Sequence, residues 1–265
     1  MTKTMRWLSR CVVLVGVAGM AACDEAVSVE GLEDTLLIDA AMVAADATIE
    51  EARMWREPFL FGPLPGAVPG LQRQSPAGPG GRGSWSGQMT GTRSVTFYDA
   101  DGIEQEAYDT LTTEEIHIEH AVAGTIDRDA FTAEISRERS MVVSGLAGEE
   151  VARTWNGSGS SFTARSGVLQ DGTERSHSME GTATYTDVVV PTPGTEPRYP
   201  LSGTIERSMI ATRTIANGGT VTREVTVVIT FDGSQYADAV VNGEAIEIDL
   251  AAEDRRRPFR RKRGG

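Results

Sequence analysis

Arginines that alternate with apolar residues are the side chains of this sequence best placed to do chemistry. Between positions 131 and 145, Phe131, Ala133, Ile135, Met141 and Val143 share their parity with Arg137 and Arg139. Arg153 likewise alternates with Val151 and Trp155, and Arg175 and His177 with Met179 and Tyr185. Arg207 and Arg213 alternate with Ile205 and Met209, and Arg223 with Val221 and Val225. On a β-strand equal parity means one face, so these cations lie on the apolar face, opposite Thr132, Glu134, Ser136, Glu138 and Ser140. A guanidinium stays charged, and burying it alone is costly, so each must reach a carboxylate, water or an anionic ligand. The simpler reading is that the long side chains cover apolar surface at the open end of a sheet or pair with acids such as Asp187 or those of an N-terminal helix. The sharper one is a surface apolar at one end and cationic at the other, a carrier or binding site for an anionic amphiphile.

Other chemistries find less support. His117 and His120 stand three apart, which on a strand puts them on opposite faces and denies them a shared metal. Only if Thr112-x-x-Glu115 opened a helix would they be neighbours. Asp99, Asp101 and Gly102 resemble a calcium loop in part, but the first and twelfth ligand positions would be Phe97 and Tyr108. There is no GxSxG, and no serine is specified beside a histidine and an acid. A hydrolase with a carboxylate pair is the remaining enzymatic reading, and abundance of Asp and Glu is its only basis. Gly78, Gly80 and Gly83 match GxGxxG without the strand and helix that would aim amides at a phosphate. We therefore expect a non-enzyme without metal or cofactor.

The elements that position the arginines are legible as strands. From position 84 to 250 the sequence alternates and is punctuated by Asp101-Gly102, Asn156-Gly157, Asp171-Gly172, Asn217-Gly218, Asp232-Gly233 and Asn242-Gly243. Such dipeptides supply the positive φ of tight hairpin turns. Over 220–231, Val221, Val225, Val227, Ile229 and Phe231 fall on one face, opposite Thr220, Thr222, Glu224, Thr226 and Thr230. The expectation is an all-β domain of roughly ten antiparallel strands in meander order, forming a curved sheet or partly closed barrel. Gly124-Thr125-Ile126-Asp127-Arg128 recurs as Gly203-Thr204-Ile205-Glu206-Arg207, and Trp155-Asn156-Gly157-Ser158 resembles Phe231-Asp232-Gly233-Ser234. These echoes read either as two related halves or as convergent strand and turn chemistry.

Around this domain, Leu32, Leu36, Ala40, Val43, Ala47 and Met54 recur at helical steps with Asp39, Asp46, Glu50 and Glu51 between them. They predict one acidic helix within 23–57, lying on the β domain or serving as a stalk. Residues 58–83 hold six Pro and seven Gly, a linker whose Phe59, Leu60, Phe61, Leu64, Val68 and Leu71 suit a strap across the domain. Residues 251–265 carry seven basic residues between Arg255 and Arg263 and are expected to be disordered, with anionic lipid or another polyanion as a contact. The body from 24 to 254 sets 15 basic residues against all 38 acidic ones, a net of −23. That balance argues against specific nucleic-acid binding.

The N-terminus supplies an address. Lys3, Arg6 and Arg10 precede the apolar run 11–22, too short to span a bilayer, and then Cys23. Met20-Ala21-Ala22-Cys23 resembles the lipobox of bacterial lipoproteins, which implies that 1–22 is a signal peptide and that Cys23 takes an acyl anchor. Cleavage after Ala21, with Gly19 and Ala21 as the small residues, is the competing outcome. The resemblance implies export to the bacterial cell envelope, attached to a membrane through lipid, with Asp24 bearing on which membrane in some lineages. Cys11 and Cys23 are the only cysteines; on the lipoprotein resemblance the first is lost with the signal and the second takes lipid, so no intrachain disulfide is expected in the exported domain. Phrases such as VTFYDADG and VTVVITFDG are similar to those of uncharacterised β-rich envelope proteins, which implies a class without an activity. The function expected is a membrane-anchored binding or scaffolding module.

Overall fold

A computed structural model describes residues 29–55, 85–128, 131–168, 173–216, 218–252 and 259–261. Cys23, the Pro/Gly-rich segment 58–83, Asp171-Gly172 and most of the basic tail lie outside the described residues. Among the described residues one helix, α1 (Val29–Met54), precedes eleven strands. These are β1 (Trp85–Asp99), β2 (Glu104–Gln105), β3 (Thr113–Arg128), β4 (Phe131–Ser144), β5 (Ala152–Val168) and β6 (Glu174–Pro191). They continue as β7 (Ser202–Ile215), β8 (Gly219–Thr230), β9 (Tyr236–Val241), β10 (Glu244–Asp249) and β11 (Phe259–Arg261). All pairings are antiparallel in a single sheet ordered β11-β10-β9-β8-β7-β6-β5-β4-β3-β1-β2. The sheet does not close into a barrel: β2 and β11 are its two edges. It is the expected all-β meander, with β1 inserted between β2 and β3.

Alternation decides which face is buried. Ile116, Val143, Trp155, Ile205, Val225, Val227, Ile229 and Ile248 all lie on the inner face, which α1 covers. The helix meets that face through Leu36, Ala40, Ala44, Thr48, Ala52 and Trp55, three or four residues apart. Small side chains let the helix sit close to the sheet, and their high helical propensity sustains it. Val43, assigned to the apolar stripe, is instead 46% exposed, and Glu51, one of the acids between the stripe residues, is 1% exposed. At its C-terminal end Trp55 packs with its ring centroid 6.0 Å from that of Trp155 and 6.3 Å from those of Tyr185 and Phe231, so β5, β6 and the residue after β8 hold the helix terminus.

Not every expected turn is one. Asn242-Gly243, both at positive φ, make the two-residue hairpin between β9 and β10, where Val241 pairs with Glu244. Asn156-Gly157 instead lies inside β5, at the register shift between Trp155 and Gly157. Gly157 has φ 151°, and a Cβ there would stand 2.2 Å from the Ser140 carbonyl oxygen. The Asn156 Oδ1 accepts the Asp187 amide at 2.8 Å, and Asp187, at φ 48°, sits in the second shift, between Thr186 and Val189. Gly203, at φ 103°, faces Asp187 so closely that a Cβ would lie 2.3 Å from its carbonyl oxygen. Three neighbouring strands thus carry their irregularities at one place, the arrangement that bends a sheet.

The repeated phrases are not equivalent in space. Gly124 to Arg128 ends β3 whereas Gly203 to Arg207 begins β7, and Asn156-Gly157 is a bulge whereas Asp232-Gly233 follows β8. Convergent strand chemistry accounts for them. The tail also differs from expectation, because Phe259–Arg261 form β11 against Ile246–Ile248. Main-chain groups on the open edge of β10 accept a partner whatever its side-chain charge.

Candidate functional site

Strand register assembles the inner-face arginines into rows. One row runs His120, Arg139, Gly159, Ala183, Arg207 and Val227 across β3 to β8. Its middle positions are small, and that vacancy admits the Glu51 carboxylate from α1. Arg139 donates to Glu51 Oε1 at 2.7 Å, Tyr185 Oη donates to the same oxygen at 2.6 Å, and Arg207 donates to Oε2 at 2.5 Å. Gly159 makes room for the Arg139 stem, since a Cβ there would lie 3.1 Å from Arg139 Cγ.

The electrostatics of this hub follow from burial. Desolvation opposes the Arg207 charge, but Glu51 and Tyr185 outweigh it and hold the guanidinium above its ordinary pKa. Burial first, and the Glu51 carboxylate second, push the Tyr185 phenol well above its usual range, so it remains a donor. A fully enclosed carboxylate therefore holds two cations and a hydroxyl.

Other predicted residues are dispersed. Arg213 pairs with Asp39 of α1, and Arg153 donates twice to Glu150, at 2.7 and 3.0 Å. His177 follows Arg165 and precedes Arg213 in its own row. Burial, then Arg213, lowers its pKa, with Asp39 acting in the opposite sense. Arg175 is exposed at the end of the sheet, and Arg223 is half-buried on β8. Asp187, named as an acid for these cations, makes no ion pair with them among the described residues and serves the bulge instead.

Arg137 and Arg139 do come together, beside residues the sequence reading did not select. A cleft of about 320 Å³ opens between the last turns of α1 and strands β1, β3, β4 and β5. Its apolar wall is Met54, Ile118, Val122, Met141 and Trp155, and its polar rim carries Arg93, His120, Arg137, Arg139, Glu50 and Glu51. Burial, then Arg139, Arg93 and Arg137, lowers the His120 pKa, so this side chain is neutral at pH 7. Arg137 makes no ion pair among the described residues, in contrast to Arg139 one rung away. Arg93 carried the same parity signal, Arg93 with Val95 and Phe97, and its pairing with His120 brings it to the rim.

His117 and His120 are on one strand at odd spacing, on opposite faces as expected, and His117 meets Glu115 at 2.5 Å. Among the described residues no group of three metal-ligating side chains forms. Nor is any described helix long and apolar enough to cross a membrane. No protein-family model, curated protein or solved structure matches the chain.

Proposed function

We propose that the chain is an exported, lipid-anchored, non-catalytic module that holds an anionic amphiphile in the cleft beside α1. The observation that carries this reading is Arg137, a cation on an apolar-walled cleft without an acid partner among the described residues. The volume lies at the lower end of the range of roughly 300–1,000 Å³ typical of ligand pockets, which suits one short acyl chain. Met54 and Met141 can repack around a flexible tail, and Arg93 and Arg137 flank the position of its head group. The signal sequence ending at Cys23 supports placement at a membrane, where such ligands concentrate.

The test is titration of laurate into the full chain carrying Cys23→Ala, followed by calorimetry and by the fluorescence of Trp155 and its neighbours. Saturable binding at one site is expected, weakened about tenfold or more by Arg137→Ala, because a hydrogen bond to a charged group is worth about 1.5–3 kcal/mol. A scaffold without ligand is the second reading, favoured by the pairing of Arg139, Arg153, Arg207 and Arg213 inside the chain. It predicts no saturable laurate binding, and that result would overturn the first.

A further inference from the structure

We infer that Arg139, Arg207 and Tyr185 form a carboxylate-binding site on the sheet that α1 occupies with its own Glu51, so that helix and ligand carboxylates compete for it. Three donors from three strands converge on one carboxylate at 2.5–2.7 Å. Arg207 and Glu51 are both at least nine-tenths buried, and the walls around them are apolar: Met209, Val227 and Trp55 are buried on the same face. Such a triad recognises a carboxylate head group attached to an apolar body, and Glu51 on an alanine-rich helix is that in form. Arg139 also borders the cleft, so a short path connects the occupied triad to the rim. Arg207 and Tyr185 lie outside the cleft, and the triad shares only Arg139 with its rim and does not depend on Arg93 or Arg137. Failure of wild-type laurate binding would remove the cleft reading and leave the triad untouched.

Two variants of the full chain test the site, with laurate as the probe and dodecyltrimethylammonium and dodecyl maltoside as controls. Glu51→Ala removes the resident carboxylate, and its melting temperature is expected to fall and then recover by several degrees with laurate, but with neither control. Glu51→Gln keeps the shape of the side chain without its charge and is expected to bind laurate about tenfold or more tightly than wild type, because the competing form of the site is weakened. That gain is expected to disappear in Glu51→Gln with Arg207→Met. Equal stabilisation of Glu51→Ala by all three amphiphiles, or wild-type affinity in Glu51→Gln, would overturn the inference. Should Glu51→Ala not fold, Glu51→Gln decides alone.

Discussion

Removing Glu51 while leaving its cations in place should damage the fold far more than removing the whole cluster. Glu51→Leu would leave Arg207, 8% exposed, and the partly buried Arg139 facing each other across Gly159 and Ala183 without a counter-charge. Breaking a buried pair from one side typically costs about 3–5 kcal/mol, since the stranded charge has lost its hydration and its partner. For a chain of this size each kcal/mol shifts the melting temperature by about 2–4 °C, so a fall of about 6–20 °C is expected. Replacing the cluster together, Glu51→Leu with Arg139→Leu and Arg207→Met, removes the charges and fills the row with apolar volume. Comparable replacements of buried ionic groups are often neutral or stabilising, so most of the loss should be recovered, less the cost of leaving the buried Tyr185 hydroxyl without its acceptor. Urea unfolding followed by far-ultraviolet circular dichroism measures both quantities. A single variant within about 0.5 kcal/mol of wild type, or a triple variant no better than the single, would refute the claim that these charges are enclosed and mutually dependent.

Three further outcomes are expected. Gly203→Ala should destabilise by at least about 1–3 kcal/mol, since φ 103° is strained for alanine and its Cβ would strike the Asp187 backbone; chemical denaturation measures this. His120 and His177 both have lowered pKa values in the fold, so the unfolded chain binds protons first: their stability contribution is complete above about pH 6.5 and declines below it. Replacing both by Gln should flatten melting temperature against pH between about 5 and 7, and an unchanged slope would show that other groups govern it. Cys23→Ala should abolish metabolic labelling by an acyl precursor, and an unlabelled wild-type chain beginning at Ala22 would refute the anchor.

The sheet was legible because its code is local. Val221, Val225, Val227 and Ile229 announce a face by parity alone, and Asn242-Gly243 announces a hairpin through backbone conformations that few residues adopt. Asn156-Gly157 uses the same chemistry for a bulge, and only the pairing of β5 with both β4 and β6 reveals the difference. Leu36, Ala40 and Met54 do face the sheet as the helical steps predict, but the stripe drifts off the contact side at Val43. Its contact side is built of Ala40, Ala44 and Ala52, which carry little hydropathy contrast, while Val43 faces outward. Acids of the helix are legible as partners for the arginines, but nothing local singles out Glu51, because an acid on a helix ordinarily faces water. Its burial follows from a strand row whose centre, Gly159 and Ala183, is known only once the register is known. Arg139, Arg153, Arg207 and Arg213 find acids on α1 and at Glu150, whereas Arg137 and Arg175 are exposed.

That division of labour explains why the face carries arginine at all. An alanine-rich helix buries little area per residue, and small apolar contacts allow it several positions on a smooth sheet. Glu51 against Arg139 and Arg207, with Asp39 against Arg213 three turns earlier, fixes both its rotation and its position along the strands. The same requirement places a cation, Arg139, where the helix ends and the cleft begins. Arg139 therefore belongs to the fold and to the rim together, and a substitution there moves the helix and the site at once. Arg207 lies beyond the cleft and Arg137 beyond the helix clamp. Stability should consequently respond to Arg207 and affinity to Arg137. A loss of both in the Arg137 variant alone would mean that the cleft is part of the clamp and not a place for a ligand.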